Sequence, residues 1–150
     1  MRILTAFSVL TFLIGVNAAG AAEHSVKMLN QGMDGMMQFD PQLVKIAPGD
    51  TVHFVAADKG HNVQSIDGMI PEGAKSFSGE IGQDLTVTFT VPGIYGYRCL
   101  PHGSLGMVGL IVVGSATNES AAKSAALPGA AGRVFAKLFD KLDTQRTAQK

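Results

Sequence analysis

The chain has 150 residues, with twelve Lys+Arg against twelve Asp+Glu, 46% hydrophobic residues and 16% charged ones. That length holds one domain with at most a short appendage. The neutral balance excludes a bulk electrostatic grip on nucleic acid, the apolar content excludes a disordered chain, and the single cysteine excludes a disulfide framework, a CxxC pair and a four-thiolate zinc site.

Met1-Arg2 gives a small positive start, and Ile3 to Val16 is an uncharged, mostly apolar run. A membrane helix needs about 20 apolar residues, so this run is short for a span. Followed by small residues, it reads as a cleaved secretory signal over residues 1–21, with an uncleaved anchor as the lesser alternative. Ala19-Gly20-Ala21 fits the cleavage pattern and makes Ala22 the first mature residue; a cut one residue later is the other choice. Processing removes only Arg2 from the charge count, leaving eleven basic against twelve acidic residues. In an oxidising compartment an unpaired thiol must be buried or bound, so Cys99 needs an explanation.

Residues 22–114 read as short strands between turns. Ser25 to Leu29 alternates and ends at Asn30-Gln31-Gly32, and Leu43 to Ile46 is closed by Pro48-Gly49-Asp50. Thr51 to Val55 follows, and Gly60 to Ser78 is irregular. Leu85 to Thr90 alternates at period two, Pro92-Gly93 turns the chain into Ile94 to Cys99, and Val108 to Val113 is a last apolar strand. Strands at this spacing predict an all-β Greek-key sandwich or barrel. Residues 115–150 change character: Asn118 to Ala126 suits a short helix, Pro128-Gly129 breaks it, and a second helix follows. Val134, Phe135, Leu138, Phe139 and Leu142 make one apolar face there, opposite Lys137, Asp140, Lys141 and Asp143. Packing on the sandwich explains that stripe best; a partner-binding or membrane-surface helix is the sharper alternative, but the stripe lacks the cationic polar face that would favour it. Asn118-Glu119-Ser120 matches a glycosylation triplet too common to carry weight.

The informative stretch is Tyr95-Gly96-Tyr97-Arg98-Cys99-Leu100-Pro101-His102-Gly103-Ser104-Leu105-Gly106-Met107. It places a thiolate, an imidazole and a thioether within nine residues at a junction between strands. Pro101 and the glycines at 103 and 106 would turn His102 and Met107 back toward Cys99. A second imidazole, His61, stands in Asp58-Lys59-Gly60-His61-Asn62-Val63. Two histidines and a cysteine with a weak axial methionine are the donors of a trigonal blue-copper site. The alternatives for Cys99 are a small buried hydrophobe or a nucleophile with His102 as base. Zinc would also accept imidazole and thiolate, though Met107 argues against it. His24 and His53 read as non-ligands. Met28, Met33, Met36, Met37 and Met69 read as packing residues rather than a Cu(I)-carrying set.

The C-x2-H-x4-M loop, the opening Val26-Lys27-Met28-Leu29-Asn30-Gln31-Gly32, the segments Gly60-His61-Asn62-Val63 and Met69-Ile70-Pro71-Glu72-Gly73-Ala74, and the helical tail together resemble the cupredoxins, the type 1 blue-copper family. The likeness runs from Val26 to the C-terminus. It implies a cupredoxin-like Greek-key β-sandwich with two short C-terminal helices. It also implies one copper ion per chain, held by His61, Cys99, His102 and Met107 and cycling between Cu(II) and Cu(I). By the same resemblance the protein is a monomeric one-electron carrier of a bacterial periplasm, not an enzyme. Its donors would be of the cytochrome c type, and its acceptor a copper nitrite reductase or another terminal reductase of denitrification. Docking would use Met37, Pro101 and Leu105, with Met36 as an extra member, and Lys59, Lys75 and Arg98 as steering charges. Gln31 and Ser78 stand where lysine would suit, so the salt dependence of electron transfer should be modest. Asn62 is the first candidate to tie the two ligand loops together, with a bond toward the Cys99 sulfur, and Asn30 the second. A periplasmic copper storage or delivery protein using the same pocket is the alternative function.

Overall fold

A computed structural model describes residues 20–125 and 127–148, so residues 1–19, most of the segment read above as a secretory signal, lie outside the described residues. Among the described residues eight strands form two four-stranded sheets. The first, in the order β2-β1-β4-β6, contains β1 (Glu23–Gly32), β2 (Gly35–Asp40), β4 (Thr51–Val55) and β6 (Leu85–Thr88). The second, in the order β3-β8-β7-β5, contains β3 (Leu43–Ile46), β8 (Val108–Val113), β7 (Gly93–Arg98) and β5 (Gln64–Ser65). From β2 to β7 each successive strand changes sheet, and β1 runs parallel to β4 as β3 does to β8.

Two strands were not anticipated. β1 continues through Gly32, and the pairs Gln31↔Met36 and Gly32↔Gly35 close a hairpin onto β2. Residue polarity hides β2, because Gln38 is buried while Met36 is 70% exposed. The two-residue β5 lies in the stretch read as irregular and pairs with β7 through Gln64↔Arg98 and Ser65↔Tyr97.

Alternation along β1, β4 and β7 sends Val26, Met28, Val52, Phe54, Tyr95 and Tyr97 into one core between the sheets. Phe39 and Phe54 meet the Tyr97 ring edge-on, with centroids 4.8 and 5.3 Å away. A second core lies on the other side of β7 and β8, where Ile94, Leu110 and Val112 meet Phe135, Leu138, Phe139 and Leu142. These come from α2 (Gly129–Thr147), preceded by the short α1 (Glu119–Ser124). α2, with 19 residues, is longer than the short helix anticipated. Covered on both faces, β8 is buried at all six positions, which is why its sequence is apolar without alternation.

The helices are fastened by charges and by one amide. Glu119 bridges Lys123 (2.7 Å) and Arg146 (2.8 Å), and Asp143 meets both cations. Asn118 Oδ1 accepts the Ile94 N–H (2.7 Å) and its Nδ2 donates to the Ile94 carbonyl (2.9 Å). The amide of the glycosylation triplet is therefore spent inside the fold.

Candidate metal centre

Cys99 directly follows β7, and the alternation that points Tyr95 and Tyr97 inward does the same for its thiol, which is fully buried. The next residues fold back on it. The Cys99 N–H donates to the Met107 carbonyl (3.0 Å) and its carbonyl accepts the Gly103 N–H (2.8 Å). A 3-10 turn, Gly103–Leu105, starts after His102, whose carbonyl accepts the N–H groups of Leu105 (3.0 Å) and Met107 (3.2 Å). The turn ends at Gly106 with φ +103, a conformation that strains any residue with a Cβ, and a Cβ there would also press on Val134 at 3.2 Å. Met107, fully buried, is thereby returned to the backbone of Cys99.

His61 reaches the same place from the loop between β4 and β5 and is also fully buried. Its Nδ1 lies 3.1 Å from His102 Nδ1, and the Cys99 Sγ lies 3.8 Å from the first and 3.6 Å from the second. A point about 2 Å from all three atoms exists at the centre of this triangle, close to the bond lengths of nitrogen and sulfur ligands on a first-row metal. Two imidazoles and one thiolate are the donors that copper accepts in both oxidation states. The residues therefore fit the ion. Among the described residues no other group of three His, Cys, Asp or Glu side chains converges in this way. His24 instead faces Asp50 (3.0 Å) and His53 faces Asp84 (3.2 Å).

Hydrogen bonds set how the donors point. His61 Nε2 is 2.9 Å from Asn30 Oδ1. A carbonyl oxygen only accepts, so Nε2 carries the proton and the bare Nδ1 lone pair faces the centre. Asn30 is itself held, because its N–H donates to Asp58 Oδ2 (2.7 Å) while the Asp58 N–H donates to the Met28 carbonyl (3.0 Å). Burial, and then the neighbouring His102 ring, hold His61 below the ordinary imidazole pKa, with Asp58 pulling the other way. Both effects favour the neutral ring that a ligand requires.

Asn62 joins the two loops, by bonds different from those anticipated. Its Oδ1 accepts the Leu100 N–H (2.7 Å) and its Nδ2 donates to the Gly79 carbonyl (3.0 Å), so neither group is turned to the Cys99 sulfur. The backbone just past β7 has outrun its strand partner and offers a free N–H, a better partner for an amide oxygen than a thiol. A third tie runs from the Gly82 N–H to the His61 carbonyl (2.7 Å). Asn30, ranked second from the sequence, is the residue that touches a ligand ring.

Around half-buried His102 the surface is apolar, with Pro101 exposed, Leu100 55% exposed and Leu105 66% exposed. Met37 is half-buried with φ +52, and Met36 lies open beside it. Lys59 is exposed. Arg98 is half-buried, with Nη2 3.4 Å from Gln64 Oε1 and its aliphatic stem against Gly103, so it braces the loop as much as it offers charge. Lys137 and Lys141 of α2 line a cleft of about 470 Å³ together with Asp34, Met36 and Leu105, which puts two cations at the edge of this surface. Sequence reading missed Asp58 and this placement of α2. Asp58 carried a signal, its position three residues before His61, whereas nothing local could have put α2 beside Leu105.

The family model described as copper binding proteins of the plastocyanin/azurin family matches residues 26–114. The chain is 48% identical to a pseudoazurin of Paracoccus pantotrophus over 118 residues, covering 77% of this chain and 81% of that protein. Among solved structures it is similar to a pseudoazurin from Sinorhizobium meliloti, with TM-score 0.79 and 44% identity over 81% of this chain and 96% of that one. It is also similar to the pseudoazurin from Methylobacterium extorquens AM1, with TM-score 0.78 and 45% identity over 80% and 98%.

Proposed function

We propose that this chain, which belongs to the pseudoazurins within the plastocyanin/azurin family of copper-binding proteins, is a diffusible periplasmic carrier that takes one electron from cytochrome c-type donors and hands it to a terminal reductase such as copper nitrite reductase. The observation that carries the reading is the convergence of His61 Nδ1, His102 Nδ1 and Cys99 Sγ about one point, with Met107 as the fourth donor. Copper bound by these residues supplies reversible one-electron exchange between Cu(II) and Cu(I).

The chain's own contribution is rigidity and access. Asn30 fixes the His61 ring, and Asn62 locks the His61 loop to Leu100. The turn from Gly103 to Gly106 sets His102 against Cys99. Donors held this firmly move little when the charge on the site changes, which keeps the reorganisation barrier low. His61 and Cys99 are sealed from solvent, and half-buried His102 lies between exposed Pro101 and the turn that carries Leu105, which shares a cleft with Met37; an apolar contact with a partner there would exclude water. Four protein donors leave no position for a substrate, which favours a carrier over an enzyme. The leader sequence supports export, and among the described residues no helix is long and apolar enough to cross a membrane.

The test is the visible spectrum of the mature protein after Cu(II) addition, with Cys99→Ser as the control. An intense blue band, lost in the variant and cycled by mild reductant and oxidant, is expected. Met33 and Met36, 96% and 70% exposed, offer soft thioethers that would suit a storage or delivery role. Colourless binding, or release of Cu(I) to a chelator within minutes, would establish that second reading and overturn the first.

A further inference from the structure

Asp50 closes the turn between β3 and β4, at the end of β4 remote from the His61 loop. Its side chain is 10% exposed. Oδ2 accepts the Ala47 N–H (2.9 Å) and faces His24 Nε2 (3.0 Å), while Oδ1 accepts the Ala22 N–H (2.8 Å). Ala22 is held from its other side as well. Its carbonyl accepts the Thr51 N–H (2.9 Å), and Glu23 opens the β1–β4 ladder opposite Thr51. The Ala22 nitrogen is therefore a fixed point, whereas Gly20 and Ala21 before it are exposed and belong to no strand.

The Ala47 N–H alone would close this turn. A donor 28 residues earlier in the chain is not required by the turn, and it is the nitrogen of the residue that the Ala19-Gly20-Ala21 pattern makes first. Hydrolysis of the Ala21–Ala22 bond by a leader peptidase consumes one water. It leaves a carboxylate on Ala21 and an amine on Ala22 that takes up a proton. We propose that Asp50 is the receptor for this α-ammonium group, so that processing turns an amide-to-carboxylate hydrogen bond into an ion pair without moving the nitrogen. Ala22 is itself exposed, so water can reach the two remaining N–H bonds of the amine. A cut after Ala22 would strip Oδ1 of its donor, so the geometry assigns Ala22 as the first mature residue. The inference rests on the exported reading for the identity of the cut alone. The other ionisable groups around the amine are His24 on the far carboxylate oxygen, the Glu23 side chain, and His53, whose Nδ1 is 3.9 Å from Glu23 Oε1.

The test uses copper-loaded protein that begins with a free amine at Ala22, the same chain with Gly-Ser placed before Ala22, and an Nα-acetylated form. In the first, the α-amine should titrate about one unit above its ordinary value near 8, read by NMR of the reduced protein labelled at Ala22. A raised folded pKa contributes stability below the unfolded value and loses it as pH rises through the folded one. The free-amine chain should therefore melt above the other two at pH 6–7, with the gap closing by about pH 10. Asp50→Asn should erase the gap, and the acetylated form carries the comparison if that variant folds poorly. An ordinary α-amine pKa, or equal melting of the three chains at neutral pH, overturns the proposal. Mass analysis of the exported protein should find Ala22 first. A terminus at Glu23 overturns the assignment and leaves the export reading standing, whereas an uncut chain overturns both, and neither result touches the blue band.

Discussion

Deleting the Asn62 side chain tests how the two donor-bearing loops are joined. The residue is 4% exposed, and Asn62→Ala removes its bonds to the Leu100 N–H and the Gly79 carbonyl. A lost hydrogen bond costs about 0.5–1.5 kcal/mol, rising to about 1–3 kcal/mol where the abandoned partner stays dry. Leu100 is more than half exposed, so water can reach its amide, whereas Gly79 is only half-buried behind the loop. Together the two losses should cost about 1–3 kcal/mol, which for a domain of this size lowers the melting temperature by about 3–12 °C. Melting of the metal-free protein reads this cost without the contribution of metal affinity. The loaded variant should remain blue with a shifted reduction potential, because the backbone next to Cys99 is released from the His61 loop. A metal-free stability within about 0.5 kcal/mol of wild type, together with an unchanged potential, would refute the idea that Asn62 couples the loops.

The fully buried Tyr97 hydroxyl has no hydrogen-bond partner among the described residues, and it packs where a Cβ on Gly109 would collide with it. Tyr97→Phe should therefore stabilise the protein by about 1 kcal/mol in urea unfolding, and an equal destabilisation would mean the hydroxyl is bonded after all. The backbone N–H groups of Ala22 and Ala47, with His24, hold the Asp50 carboxyl down to about 2. A depressed carboxyl adds stability above its unfolded value near 4 and loses it as pH falls through about 2. The melting advantage of wild type over Asp50→Asn should shrink across that window, and a constant gap would contradict the linkage. Replacing Lys137 and Lys141 with glutamine should slow oxidation of the reduced protein by hexacyanoferrate(III) about two- to threefold at low ionic strength, with the rates converging near 0.5 M salt. Equal rates in dilute buffer would show that α2 lies outside the field felt at His102.

The chemistry of the site was legible in the sequence because it is local. Cys99, His102 and Met107 fall within nine residues, and period-two alternation along Ile94 to Cys99 already turns the thiol inward. The strands Leu43–Ile46, Thr51–Val55 and Val108–Val113 were readable for the same reason, each being apolar or alternating between strong turn signals. β2 escaped because a buried Gln38 and an exposed Met36 invert the usual polarity, and β5 because two residues carry no period. The orienting bonds were out of reach, since they span long separations. Asn30 lies 31 residues from His61, and Asn62 lies 38 from Leu100. Which amide meets a ring nitrogen and which meets a backbone N–H is set by the crossing of strands between two sheets. Residue types along the chain therefore determined which atoms are available to hold a metal. Only the tertiary structure decided which of them face one another, because a hydrogen bond or a ligand triangle forms over a few ångströms and side-chain direction is settled only when both sheets are packed.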